Sequence, residues 1–161
     1  MTIIPIIVEQ HAEESSFLWL LRDKAVHEPH YDLSDLATLD CRVEAHIDGL
    51  RIAGDEGWDI CKENLALEEA GEIFTATLLA FESGNDDRIA EVLEAGSQDV
   101  ERSRGMVSAL GWFSYPRAEK AIHRFLNSRS SALQRIGIAA CAIHRQDAGN
   151  FWQNGLDASE S

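Results

Sequence analysis

The sequence predicts an all-α fold whose later part is a helical-repeat solenoid. Three observations predict it. No segment of the 161 residues alternates with the two-residue period of a half-buried strand. Only three prolines interrupt the chain, which leaves room for long helices. The stretch from about residue 73 to residue 143 matches itself at a 31-residue offset. The composition, 45% apolar and 26% charged, is that of a globular domain long enough to bury a core.

The elements follow in order. Residues 10–28 read as the first helix, with Phe17, Leu18, Leu21 and Ala25 in one stripe and Trp19 and Val26 on the other side. Pro29 ends it, because the residue before proline disfavours the helical region. Ser34 is the expected cap of a second helix, 34–53, whose apolar positions are Leu36, Leu39, Val43, Ile47 and Leu50. Gly54 stops it, and a third helix, 55–66, carries Trp58 and Cys61. A fourth, 69–82, ends at Ser83-Gly84, a glycine stop. Asn85 or Asp86 caps a fifth, 87–95, and Gly96-Ser97 breaks it. The sixth spans 98–113. Pro116 opens a seventh, 116–127, where a first turn tolerates proline. Ser130 caps an eighth, 131–146, and an irregular tail follows.

The 31-residue offset places Ile73–Phe81 over Arg104–Trp112 and over Arg135–Ile143. Ala76, Val107 and Ile138 stay apolar; Thr77, Ser108 and Ala139 stay small; Leu79, Leu110 and Cys141 stay apolar. Ala80, Gly111 and Ala142 stay tiny, and Phe81, Trp112 and Ile143 are bulky. A tiny column lets successive long helices approach closely, so Gly111 reads as a packing glycine that tolerates alanine and rejects leucine. The expected organisation is a helical cap over 1–68, repeats over 69–146 and a tail over 147–161. Helix 131–146 is apolar or small nearly all round between Ile136 and Ile143. Its end is expected to be covered by Phe151, Trp152 and Leu156 folding back, or by a second copy in a homodimer.

The residues Arg102-Ser103-Arg104-Gly105-Met106-Val107-Ser108-Ala109-Leu110-Gly111-Trp112, followed by Pro116-Arg117-Ala118, resemble a HEAT-like repeat of the phycobilisome-lyase type. The stretches Glu9-Gln10-His11-Ala12-Glu13-Glu14, Phe17-Leu18-Trp19-Leu20-Leu21-Arg22 and Ala45-His46-Ile47-Asp48-Gly49-Leu50-Arg51 resemble the start of an uncharacterised proteobacterial family. That family consists of HEAT-like-repeat proteins often encoded beside type VI secretion components, and the resemblance covers most of residues 7–148. Its members continue with more repeats, whereas this chain stops after the first helix of one. The resemblance implies a scaffold and brings no catalytic residues with it.

Charge narrows the function. Asp and Glu number 28 against 14 Lys and Arg, a net charge of −14, which disfavours nucleic acid or an anionic membrane as partner of the whole surface. Residues 1–96 hold 22 acids and 6 bases, whereas residues 97–145 hold 3 acids and 8 bases. Two parts of opposite sign suggest an oriented binding surface or subunits that attract end to end. Arg117, Lys120, Arg124 and Asn127 fall along one side of helix 116–127, opposite Ile122 and Leu126, and Arg88 and Glu91 take the comparable side of helix 87–95. In a helical-repeat stack such helices line the concave face, so Arg88, Glu91, Arg117, Lys120 and Arg124 are the expected protein-binding residues, facing an acidic segment of a partner. The alternative is a nucleic-acid-binding or nucleobase-acting protein using the same basic groove; the acidic total and the lack of aromatics between the bases weigh against it.

Other chemistry finds no motif. His11, His27, His30 and His46 have no i, i+4 spacing and no HExxH pattern, so no metal site is expected. There is no phosphate-cradling glycine loop and no nucleophile elbow, and no catalytic residue or cofactor is expected. Cys41, Cys61 and Cys141 show no CxxC spacing and read as core thiols of a reducing, cytoplasmic protein. The apolar start Ile3–Val8 is too short and lacks the flanks of a signal peptide. No apolar run approaches the length of a membrane span.

Overall fold

The computed structural model describes residues 4–148, and among these it is all-helical, with no strand. The helices are α1 (Pro5–Ala25), α2 (Leu33–Ala53), α3 (Asp55–Asn64), α4 (Ala70–Ser83), α5 (Asp86–Gly96), α6 (Val100–Trp112), α7 (Tyr115–Leu126) and α8 (Ser131–Ile143). A single 3-10 turn, Leu65–Leu67, follows α3. None is long and apolar enough to cross a membrane. The chain forms two compact units, one up to Met106 and one from Val107, so the division falls inside α6. The sequence boundary expected at residue 68 lies within the first unit.

In the first unit α4 is the central helix. Every residue from Ile73 to Ala80 is buried, as a helix apolar on all sides requires. α1 packs on both α2 and α4, and α3 touches all three. α1 therefore buries a broad face, comprising Val8, Ala12, Ser15, Ser16, Leu18, Trp19 and Ala25. This corrects the expected stripe: Trp19 is 1% exposed and stacks on Phe74 with centroids 5.1 Å apart, while Phe17 is 62% exposed. Three partner helices, not one, decide which side of α1 is wet. Ser15 and Ser16 each place Oγ 3.1 Å from Thr75 Oγ1, so the polar atoms of this interface satisfy one another.

Helix ends follow local chemistry. α1 starts five residues earlier than expected, because Pro5 occupies the first turn, where no N–H is needed. α2 is capped by Asp32 rather than by Ser34. The Asp32 carboxylate accepts from the N–H of Ser34 at 2.7 Å and of Asp35 at 2.9 Å, and the Asp35 carboxylate accepts from the Asp32 N–H at 3.1 Å. This reciprocal arrangement satisfies more orphan donors than a lone serine one position later. Gly84 adopts φ +64 and stops α4, and Asn85 then caps α5 through the N–H groups of Asp87 and Arg88. α5 leads to α6, which approaches α4 at Gly105, where a Cβ would collide with the Ala70 carbonyl.

The second unit holds the end of α6 with α7 and α8. α7 turns Ala118, Ile122, Phe125 and Leu126 inward. α8, capped by Ser130 as expected, contributes Ile136, Gly137, Ala140 and Cys141. α8 ends at Ile143, three residues early, and Arg145 then takes φ +53. Ile136 and Ala140 are buried, whereas Ile143 is half-exposed. The expected tail residues Phe151, Trp152 and Leu156 lie outside the described residues. All three cysteines are free, but only Cys61 and Cys141 are core thiols. Cys41 is exposed, because it lies on the side of α2 away from Leu39, Val43 and Ile47. Burial pushes the Cys61 thiol up to about 12, with a smaller contribution from Glu72.

Candidate protein-binding surface

α7 is the most sharply two-sided helix of the second unit. Its apolar residues recur at Ala118, Ile122, Phe125 and Leu126, and all are buried. Arg117, Lys120 and Arg124 recur three and four apart, so they share the opposite side, and all three are exposed. The Arg117 guanidinium lies 5.0 Å over the Phe113 ring, which fixes its stem while leaving its N–H groups open. Asn127 does not join this face as a free group. It caps the helix, and its amide donates to the His123 carbonyl at 2.8 Å. Among the described residues, Arg117, Lys120 and Arg124 make no ion pair. Like charges at these spacings repel by about 0.2–0.5 kcal/mol per pair, and no carboxylate among the described residues pairs with the cluster to offset it.

Most cations of the first unit are ion-paired, Lys24 and Arg42 excepted. Arg22 pairs with Asp40 at 2.8 Å, and Arg51 bridges Glu82 at 2.7 Å, Glu44 at 2.5 Å and Asp48 at 2.6 Å. Hydrogen bonding to the Glu82 carboxylate, which accepts from Arg51, is the main reason that the guanidinium is held even more firmly protonated than usual. Arg88 and Glu91, expected on the open side of α5, are both tied to α3. Arg88 donates to Asp55 at 2.5 Å and lies 5.2 Å over the Trp58 ring. Glu91 accepts from Lys62 at 2.9 Å. Their charges are thus largely neutralised within the unit.

Glu91 also borders a groove of about 610 Å³ between the end of α3 and α5, lined by Lys62, Leu65, Glu68, Gln98 and Arg102 among others. Arg102 spans Glu68 at 2.5 Å and Asp99 at 3.0 Å. Each cation of this groove is therefore engaged by carboxylates. Of the five expected binding residues, the structure keeps Arg117, Lys120 and Arg124 together on one open helix face and draws Arg88 and Glu91 onto α3.

Sequence reasoning missed one polar pair. His11 of α1 and His46 of α2 place their Nδ1 atoms 3.1 Å apart. They are 35 residues apart, on different helices, and only the packing of α1 on α2 joins them. Among the described residues, no group of three or more His, Cys, Asp or Glu side chains has metal-holding geometry. Compared with known proteins, the chain matches no family model, no curated protein and no solved structure.

Proposed function

We propose that the chain is a non-enzymatic, HEAT-like protein-binding scaffold, and that the basic face of α7 docks an acidic segment of a partner protein. One observation carries this reading. Arg117, Lys120 and Arg124 are left without ion pairs among the described residues, whereas six of the eight Lys and Arg of the first unit, Arg22, Arg51, Lys62, Arg88, Arg102 and Arg104, are paired, Lys24 and Arg42 being the exceptions. Carboxylates are scarce around this row, since residues 97–145 hold 3 acids against 8 bases, so the three cations remain available to a carboxylate supplied by another molecule. One column of the 31-residue pattern supports a repeat architecture, since Leu79, Leu110 and Cys141 are buried at each recurrence; the tiny column does not recur in burial, Ala80 being buried and Ala142 exposed. Free thiols at Cys41, Cys61 and Cys141 suit work in the reducing cytoplasm.

The test is the triple variant Arg117→Glu, Lys120→Glu, Arg124→Glu. Its circular dichroism should match that of the wild type, because all three side chains are exposed. Affinity capture from the native host with both proteins, followed by mass spectrometry, should show a partner that the variant loses. The wild-type complex should weaken as salt is raised, mainly through slower association. A partner held equally by both proteins and indifferent to salt would remove this surface from consideration. Wild-type capture of oligonucleotide instead of protein would favour the nucleic-acid alternative.

A further inference from the structure

The seam between α1 and α2 contains a contact with its own chemistry. The ring centroids of His11 and His46 are 5.2 Å apart, with their planes inclined at 62°. The His11 ring rests on Gly49 of α2, where a Cβ would stand 2.5 Å from it. The close approach allowed by Gly49 therefore holds the ring against the opposite helix. At 3.1 Å, the two Nδ1 atoms are at hydrogen-bond distance, which requires one to carry a proton and the other to offer a lone pair. The other charged groups acting on His46 are Glu14 from α1 and Arg42 from α2. With no third ligand grouped with the pair among the described residues, its chemistry is that of protons.

We propose that His11 and His46 form a proton latch across the α1–α2 seam, closed when the pair carries at most one extra proton and opened by the second. The proton count is explicit. In the neutral pair, one ring donates Nδ1–H and the other accepts at Nδ1 while keeping its own proton on Nε2. With one added proton, an imidazolium donates to the neutral ring, a stronger, charge-assisted bond. With two, both Nδ1 atoms carry hydrogens and both rings carry positive charge, so contact at this distance is lost.

The direction of the effect follows. Burial above all, then the neighbouring His11, holds His46 below its ordinary value of 6.5; Arg42 adds to this and Glu14 opposes it. The unfolded chain binds its proton near 6.5, and the folded pair resists the second. The first proton leaves the latch closed; stability is lost as pH falls from 6.5 toward the lowered value of His46, where the unfolded chain binds a second proton that the folded pair still refuses. Ala12, Val43 and Ile47 of α1 and α2 are buried, and the latch adds to the packing that keeps them so.

Ring-nitrogen and ring-carbon NMR titration of the wild type is the first experiment. The latch requires His11 and His46 to shift together in two steps, one of them below 6.5. Amide exchange along α1, corrected for its intrinsic pH dependence, should quicken across the same lower step. His46→Gln removes the latch, after which His11 should titrate in a single step. Between pH 6.5 and 5.5, the folding constant of the wild type should fall by up to about tenfold relative to His46→Gln, since one refused proton is worth tenfold per pH unit. Two independent single-step titrations in the wild type would overturn the proposal. So would a pH dependence of stability identical in wild type and His46→Gln. The wild-type titration decides the matter even if the variant folds poorly.

Discussion

Replacing Gly105 by alanine should destabilise the first unit, although alanine is the better helix former. In isolation the change gains about 1 kcal/mol of helix propensity. The structure reverses the sign. A methyl at Gly105 would collide with the Ala70 carbonyl oxygen, 3.0 Å from the Ala70 carbonyl carbon and 3.1 Å from the Phe74 nitrogen. These are backbone atoms of α4, so no side chain can swing aside. α6 must instead lift from α4, where Ala70, Phe74 and Met106 are at most 1% exposed. A gap of about 0.5–1 Å forfeits a quarter to a half of each dispersion contact across the seam, and overpacking of this kind costs about 1–3 kcal/mol. With propensity offsetting part of the loss, the net destabilisation is about 1–2 kcal/mol. Urea titration followed by tryptophan fluorescence reads it, because Trp19 and Trp58 are both buried in this unit. At a slope of about 2 kcal/mol per molar, the midpoint should fall by about 0.5–1 M. Gly111→Ala is the control. Its methyl would stand 2.7 Å from Cγ2 of Ile143, a side chain 49% exposed and able to turn outward. The structure thus changes the tolerance expected from the sequence into a near balance, within about 0.5 kcal/mol of wild type. An unchanged or raised midpoint for Gly105→Ala would refute the close-approach reasoning.

Two further outcomes are expected. Asp32→Ala should cost about 0.5–2 kcal/mol by removing the α2 cap, whereas Ser34→Ala should cost much less; thermal melts of the pair decide which residue caps the helix. Glu72 has one carboxylate oxygen buried without a hydrogen-bond partner, and burial above all raises its carboxyl above the ordinary 4.5. The folded state therefore carries a charge penalty at pH 7 that disappears as pH falls through the raised value toward 4.5. Glu72→Gln should be the more stable protein at pH 7 and lose that advantage at pH 4, as read by urea midpoints at the two pH values.

The sequence by itself determined the local rules of this protein. The all-α class, the eight helices, the Gly84 stop and the Asn85 and Ser130 caps were legible, because each depends on a few neighbouring residues. The amphipathic pattern of α7 also placed Arg117, Lys120 and Arg124 on one exposed face, since a helix buried on one side leaves the other predictable. Tertiary packing decided the rest. α1 touches α2, α3 and α4 at once, so no single stripe could show that Trp19 goes inside and Phe17 outside. Arg88 and Glu91 read as open because their partners, Asp55, Trp58 and Lys62, lie about 30 residues away on α3. His11 and His46 carry no spacing signal at all. Their pairing requires α1 to lie against α2 with Gly49 beneath the ring, a distance set by helix packing and not by any run of adjacent residues.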